Sequence, residues 1–431
     1  MKKFLLAACA VCLGLCCACA RGSGARAPEG PKQDFTAVPG SGTSQSAAPD
    51  NASDAPSSAV PASGAAVLPY RAVWISYLEW PLFDTSSAEA FTACVGAAFD
   101  RCAAVGLNVV VVQVRPFSDA IYPSSIYPWS HLLTGTQGQD PGFDPLAILI
   151  EQAHARGLVF EAWVNPYRVR LNDNTPQGAL AGGNPAVLHP DWAIEANNGL
   201  YYDPALPDVQ QMVVDGVTEL VQNYNVDGIE FDDYFYPTTD EAFDEDSFAR
   251  YGAGQALTEW RRGNVNTLIQ KVYAAVKAVR PQVVFGISPQ GNNDNNYHQQ
   301  YSDVALWMRT PGFVDYVMPQ VYWGYNYTLS NGSARYAFEN LVQEWMNMER
   351  DSSVSIAFGL GAYRVGEGDG SSTQSDEWQT GHNLADMVRT LSAHGANGYG
   401  IYRYESLFGG GEYTALREAE QKALAEVNAQ P

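Results

Sequence analysis

Residues 226–237 read Val226-Asp227-Gly228-Ile229-Glu230-Phe231-Asp232-Asp233-Tyr234-Phe235-Tyr236-Pro237, an apolar, aromatic run carrying four carboxylates within seven positions. As a strand it places Gly228, Glu230, Asp232 and Tyr234 on one face and Asp227, Ile229, Phe231 and Asp233 on the other. Desolvated carboxylates without partners are costly, so a fold keeps such a cluster mainly where it is used. The plainer alternative is a strand end whose acids cap neighbouring backbone N–H groups. Solvated acids seldom sit inside an aromatic run, which favours a reactive strand end.

A helical pattern precedes this strand (Asp208 to Tyr224) and another follows it (Ala256 to Val279). The same unit recurs outward in both directions. Apolar, β-branched strands are predicted at Arg71–Ser76, Asn108–Val114, Leu158–Val164, Val226–Asp232, Val284–Ser288, Val314–Met318, Ser353–Leu360 and Gly398–Tyr402. Helices fall between them, among them Ser86–Val105, Asp144–Arg156 with an Asp cap, and a last one at Tyr413–Val427. Continuous apolar strands alternating with amphipathic helices argue for a parallel sheet covered on its outside. Eight such units predict an α/β fold, a (β/α)8 TIM barrel with enlarged βα loops. The rival open doubly wound sheet lacks its Gly-x-Gly-x-x-Gly turn after the first strand. Segments after strands are long, such as Arg115–Gly142 and Asn165–Pro207, whereas returns such as Val105-Gly106-Leu107 are short. Reactive groups of such barrels gather at the carboxyl ends of the strands.

Those ends form a polar, aromatic ring: Gln113-Val114-Arg115-Pro116, Ala162-Trp163-Val164-Asn165-Pro166-Tyr167-Arg168, Gly286-Ile287-Ser288-Pro289 and Pro319-Gln320-Val321-Tyr322-Trp323, with Tyr363-Arg364 and Tyr402-Arg403 beyond. Taken in order with Asp227-Gly228-Ile229-Glu230-Phe231-Asp232-Asp233, these motifs resemble the bacterial glycosyl-hydrolase-like family 10 over nearly all of residues 70 to 405. The resemblance implies a barrel hydrolase acting on glycans, with peptidoglycan glycan strands as the expected substrate. The sequence departs from the family pattern at Glu230, where His is usual. The fourth strand also looks like the Asp-rich strand of chitinases, but Tyr234 stands where their acid would be.

Glycoside hydrolysis needs one carboxylic acid to protonate the leaving oxygen and a second group to stabilise or attack the sugar cation. Asp232, inward at the strand end, is the expected acid, and Asp233 shares the site where the strand gives way to a loop. Tyr236, Tyr322, Trp323 and Trp163 offer faces to sugar rings, with barrel packing as the alternative. Arg115, Arg168 and Arg364 are placed to pair with the acids or with a substrate carboxylate. Asn165, level with Asp232, and Gln320 complete the expected substrate-binding set. Glu161 and Gln113 lie deeper and read as a core network, while Asp119 and Glu405 read as solvated acids.

Across 431 residues, a net charge of -22 argues against nucleic acid or an anionic membrane surface as electrostatic partners. Met1-Lys2-Lys3 and the apolar run to Ala18 resemble a secretory signal, and Ala18-Cys19 a lipoprotein cleavage site. The expected organisation is a lipoprotein signal segment over 1–19, a disordered Ala/Ser/Gly/Pro tether over 20–67 and the barrel over 68–431. Lipidation at Cys19 implies an extracytoplasmic, membrane-anchored protein; ordinary signal cleavage there implies a secreted one. Beyond the leader only Cys94 and Cys102 remain, about 12 Å apart along a helix and unable to bridge. Six scattered histidines lack paired ligand spacing, so no metal or cofactor is expected. Two alternatives stay open: a non-catalytic glycan-binding surface lipoprotein on the same barrel, and a metal-dependent hydrolase.

Overall fold

The valine run of the second strand carries the logic of the barrel. Each residue from Val109 to Arg115 is buried, as a strand covered on both faces requires. In the computed structural model, which describes residues 68–172, 176, 178–373 and 376–429, Val109 and Val111 join Ala72, Trp74, Trp163, Tyr316, Met318 and Ala357 inside the barrel. Val110, Val112 and Val114 belong instead to the larger core between strands and outer helices.

Eight parallel strands close on themselves: β1 (Tyr70–Ile75), β2 (Val109–Arg115), β3 (Val159–Val164), β4 (Gly228–Phe231), β5 (Val284–Ile287), β6 in two pieces (Tyr316–Val317 and Gln320–Val321), β7 (Ser355–Gly361) and β8 (Gly398–Tyr402). Closure is made where β1 pairs with both β2 and β8. A helix follows each strand: α1 (Ala88–Ala104), α2 (Pro145–His154), α3 (Pro207–Asn223), α4 (Leu257–Val279), α5 (Val304–Arg309), α6 (Phe338–Met346), α7 (Asn383–Ala393) and α8 (Thr414–Asn428). Local signals set their ends. Asp144 caps α2 by accepting from Ala147 N at 3.1 Å, with Pro145 in the first turn. Beyond α1, Gly106 takes φ +79°, a conformation costly for any residue with a Cβ.

The TIM barrel expected from the sequence is therefore the fold. It differs in three details. β6 is interrupted at Met318-Pro319, because proline has no N–H to give the ladder. β4 stops at Phe231, leaving Asp232 just past the strand. The long segment after β3 is not plain loop but holds a three-stranded antiparallel sheet of Arg168–Arg170, Ala193–Ala196 and Gly199–Tyr202. Cys102 is buried and Cys94 half-buried, both as free thiols. Among the described residues no helix is long and apolar enough to cross a membrane. The signal segment, Cys19 and the tether lie outside the described residues.

Candidate active site

β3 and β4 run in parallel register with Val164 opposite Phe231, so the next residues, Asn165 and Asp232, emerge side by side at the top of the barrel. Asp232 is ringed by donors. Its Oδ2 accepts from Asn165 Nδ2 at 2.5 Å and Trp163 Nε1 at 3.3 Å, and its Oδ1 from Tyr234 N at 3.1 Å. Asn165 is held in turn by Gln113 Nε2 and by Arg168 Nη2, which donates to its Oδ1 at 3.1 Å. Arg168 is fixed by a bond from Nε to Pro116 O (2.9 Å) and lies over the Phe117 and Tyr234 rings, at 5.0 and 5.5 Å from their centres.

Asp233 has a different shell. Gln320 Nε2 donates to its Oδ1 at 2.9 Å and to Ser288 O at 2.8 Å, tying β6 to β5 beneath it. Its Oδ2 is buried and has no partner. The two side chains are 4% and 3% exposed. Burial, followed by the negative charge of Asp232, pushes the Asp233 carboxyl up to about 7. Burial also raises Asp232, but the Arg168 charge and the Tyr234 and Asn165 N–H groups pull it back. The neighbours thus favour the proton on Asp233 and the charge on Asp232.

One layer down, Glu230 Oε2 accepts from Trp74 Nε1 at 2.8 Å while its Oε1 lacks a partner. Glu161 Oε2 accepts from Tyr316 OH at 2.5 Å. Burial holds Glu230 well above the ordinary range and Glu161 at about 7. Around the acids stand the half-buried Tyr77, Tyr234, Gln320, Tyr322, Trp323, Tyr363, Arg364 and Tyr402. Tyr322 stacks on Tyr402 at 5.4 Å, and Trp323 on Tyr336 at 5.5 Å. Arg364 Nε donates to Tyr322 O at 3.2 Å.

The structure thus gathers Asp232, Asp233, Asn165, Arg168, Gln320 and Tyr322 at one end of the barrel, with Trp323 flanking. Three expectations are corrected. Arg115 is turned out of the ring, because a register shift between Gln113 and Arg115 sets it opposite the outward Val164. Tyr236 is 1% exposed and packs on Phe243 and Tyr301 beneath Arg261, so its ring meets no solvent. Asn165 lies level with Asp232, as the simple register predicts, and is fully buried with its Nδ2 donating to that carboxyl. Asp119, read as solvated, is buried against His131 and Gln137. Gln113 and Glu161 are both buried and hydrogen-bonded, Gln113 to Tyr77 N and Asn165, and Glu161 to Tyr316, in two separate sets. Tyr77, just past the carboxyl end of β1 and 5.6 Å from the Arg168 guanidinium, is a further ring at this end, and its place after a strand is the sequence signal for it. A cavity of about 960 Å³ lies elsewhere, between residues 123–138, 181–183 and α3, and none of its lining residues belongs to this ring.

The family described as glycosyl hydrolase-like 10 matches residues 69–380. Glycosyl hydrolase YngK of Bacillus subtilis (strain 168) is 37% identical over 318 residues, covering 68% of this chain and 61% of that protein. Glycosyl hydrolase DigH of Escherichia coli (strain K12) is 33% identical over 364 residues, covering 76% and 80%. The chain therefore spans about three fifths of the length of YngK. The solved glycoside hydrolase domain of PgaB (BpsB) from Bordetella bronchiseptica shares the fold, with TM-score 0.53 and 16% identity over 81% of this chain and 98% of that one.

Proposed function

The chain belongs to the glycosyl hydrolase-like 10 family, and from that premise we propose that it hydrolyses glycosidic bonds in bacterial wall polysaccharide, the glycan strands of peptidoglycan, through Asp232 and Asp233. The observation that carries the reading is the asymmetry of the two carboxyls. Asp232 is surrounded by donors, whereas Asp233 keeps one buried oxygen without a partner. Burial and the Asp232 charge push the Asp233 carboxyl up to about 7, so it is the member of the pair that holds a proton to give to a glycosidic oxygen.

In this mechanism Asp233 transfers its proton to the glycosidic oxygen while the bond from that oxygen to the anomeric carbon breaks, the electron pair leaving with the oxygen. Asp232, ionised, stabilises the positive charge growing on the sugar. Water adds to the anomeric carbon and its proton returns to Asp233. The sequence favoured Asp232 as the acid; the donor sets support the reverse. Tyr322, Tyr402 and Trp323 supply ring faces for sugars, and Arg364 a cation at the rim for a lactyl carboxylate.

The leader of residues 1–19 supports an extracytoplasmic location through a lipid on Cys19, with the glycan as the partner. Labelling cells with a fatty acid checks this: label is expected on the wild-type protein and absent from Cys19→Ala. The activity is tested on purified, peptide-free glycan strands by reducing-end release and product mass spectrometry, comparing wild type with Asp232→Asn and Asp233→Asn. Binding by the wild type without fragment release would replace the enzyme by a glycan-binding surface protein. Loss of activity on chelation would instead favour the metal-dependent hydrolase.

A further inference from the structure

The register shift at the end of β2 leaves an unusual group behind it. Arg115 points out of the barrel, and the following loop doubles back along it, with Ile121 N donating to Val114 O at 3.2 Å. The Tyr127 ring covers the guanidinium, with Arg115 Cζ 4.6 Å from the ring centre. The residue is 1% exposed, and neither Nη1 nor Nη2 has a hydrogen-bond partner. The hydroxyl of Tyr122, in the same turn of loop, is a third buried orphan, near enough for the Arg115 charge to act on it.

Nearby carboxylates are engaged elsewhere. Glu219 takes bonds from Ser124 and Ser125, and Asp144 from Tyr224 and Ala147; Asp119 takes His131 and Gln137 on Oδ2, its Oδ1 being buried without a partner, and none of the three bonds the Arg115 guanidinium. A guanidinium does not shed its proton in a protein, so burial cannot neutralise it as it would a lysine. An aromatic face offsets part of the charge. Glu219 acts on the same two tyrosines, Tyr122 and Tyr127, but does not bond the guanidinium, whose Nη1 and Nη2 are left for an acceptor that an anion supplies together with its charge. We propose that Arg115 and the Tyr122 hydroxyl hold a small monovalent anion, chloride in ordinary saline, as an integral part of the loop after β2. The same loop carries Pro116 O, which anchors Arg168, and Phe117 beneath it, so the anion supports the surroundings of Asp232 from a distance.

Crystals grown in bromide test the site directly. An anomalous peak at hydrogen-bond distance from the Arg115 Nη atoms is expected; ordered water alone there overturns the proposal. Thermal melts in chloride against gluconate at equal ionic strength provide the second arm. The wild-type melting temperature is expected to rise by a few degrees with chloride, as for any ligand that binds only the folded state. Arg115→Met should abolish the dependence. Tyr122→Phe, which keeps the charge and the packing, should weaken the chloride midpoint several-fold and stands in if the methionine variant does not fold. A bromide peak without any chloride effect on melting means an adventitious ion only, and also overturns it. Neither readout depends on glycan cleavage, so failure here is distinct from failure of the hydrolase reading.

Discussion

At the scale of single residues, the two acids are adjacent in sequence but differ in their neighbours. Three N–H groups converge on Asp232, whereas Asp233 is approached by the amides of Gln320 and Gln290 and by the Asp232 charge. If Asp233 is the proton donor, Asp233→Asn should lower kcat on glycan strands by roughly 10²–10⁴-fold. The loss should be much smaller on an aryl glycoside, whose leaving group departs without a proton. Equal losses on both substrates would remove Asp233 from that role. The donor must also hold its proton, so the rate should fall as pH rises through about 7. Asp232→Asn removes the neighbouring charge that helps raise Asp233. Carboxyl NMR should then find the Asp233 pKa lower in that variant, and an unchanged value would show the two acids are not coupled. The strand ends that hold these groups were legible from the chain because polar residues there interrupt apolar runs. Which way Arg115 and Tyr236 face was not, since each is turned by packing that no local pattern records.

At the scale of elements, the inside of the barrel is a fit between large rings and missing side chains. A Cβ on Gly286 of β5 would come within 1.9 Å of the Tyr316 ring, whose hydroxyl is already committed to Glu161. Gly286→Ala should therefore destabilise the protein by about 1–3 kcal/mol or more, read as a lower denaturant midpoint. Gly263 offers the opposite case. It lies within α4, exposed, with nothing within 4 Å of a Cβ. Gly263→Ala should raise stability by about 0.5–1 kcal/mol, because alanine costs less entropy in a helix. If both substitutions moved the midpoint the same way, ring packing would not be what sets glycine at position 286. The existence and order of the strands followed from composition, since a strand buried on both faces is apolar throughout. The break in β6 had a local signal in Pro319, whereas the irregularity in β2 and the small sheet after β3 escaped because they arise from pairing between distant segments.

For the whole molecule, buried carboxyls stand at three separate places and are all raised by burial to about 7. Glu161 is inside the barrel and Asp233 at its mouth, while Glu420 takes bonds from Asn383 and Leu384 N where α8 meets α7. Each holds its proton more tightly folded than unfolded. Its contribution to stability is therefore fully present below the unfolded carboxyl range, near 4, and is lost as pH rises through about 7. The melting temperature should accordingly be higher at pH 5 than at pH 8. A net charge of -22 adds a second slope of the same sign, since deprotonation also increases self-repulsion across the surface. The two contributions separate by substitution. Glu161→Gln keeps an acceptor for the Tyr316 hydroxyl and one charge cannot alter the surface term much, so the variant should lose less stability than wild type between pH 5 and 8. Parallel melting curves for the two proteins would assign the whole slope to surface charge and leave the interior carboxyl without a role in it.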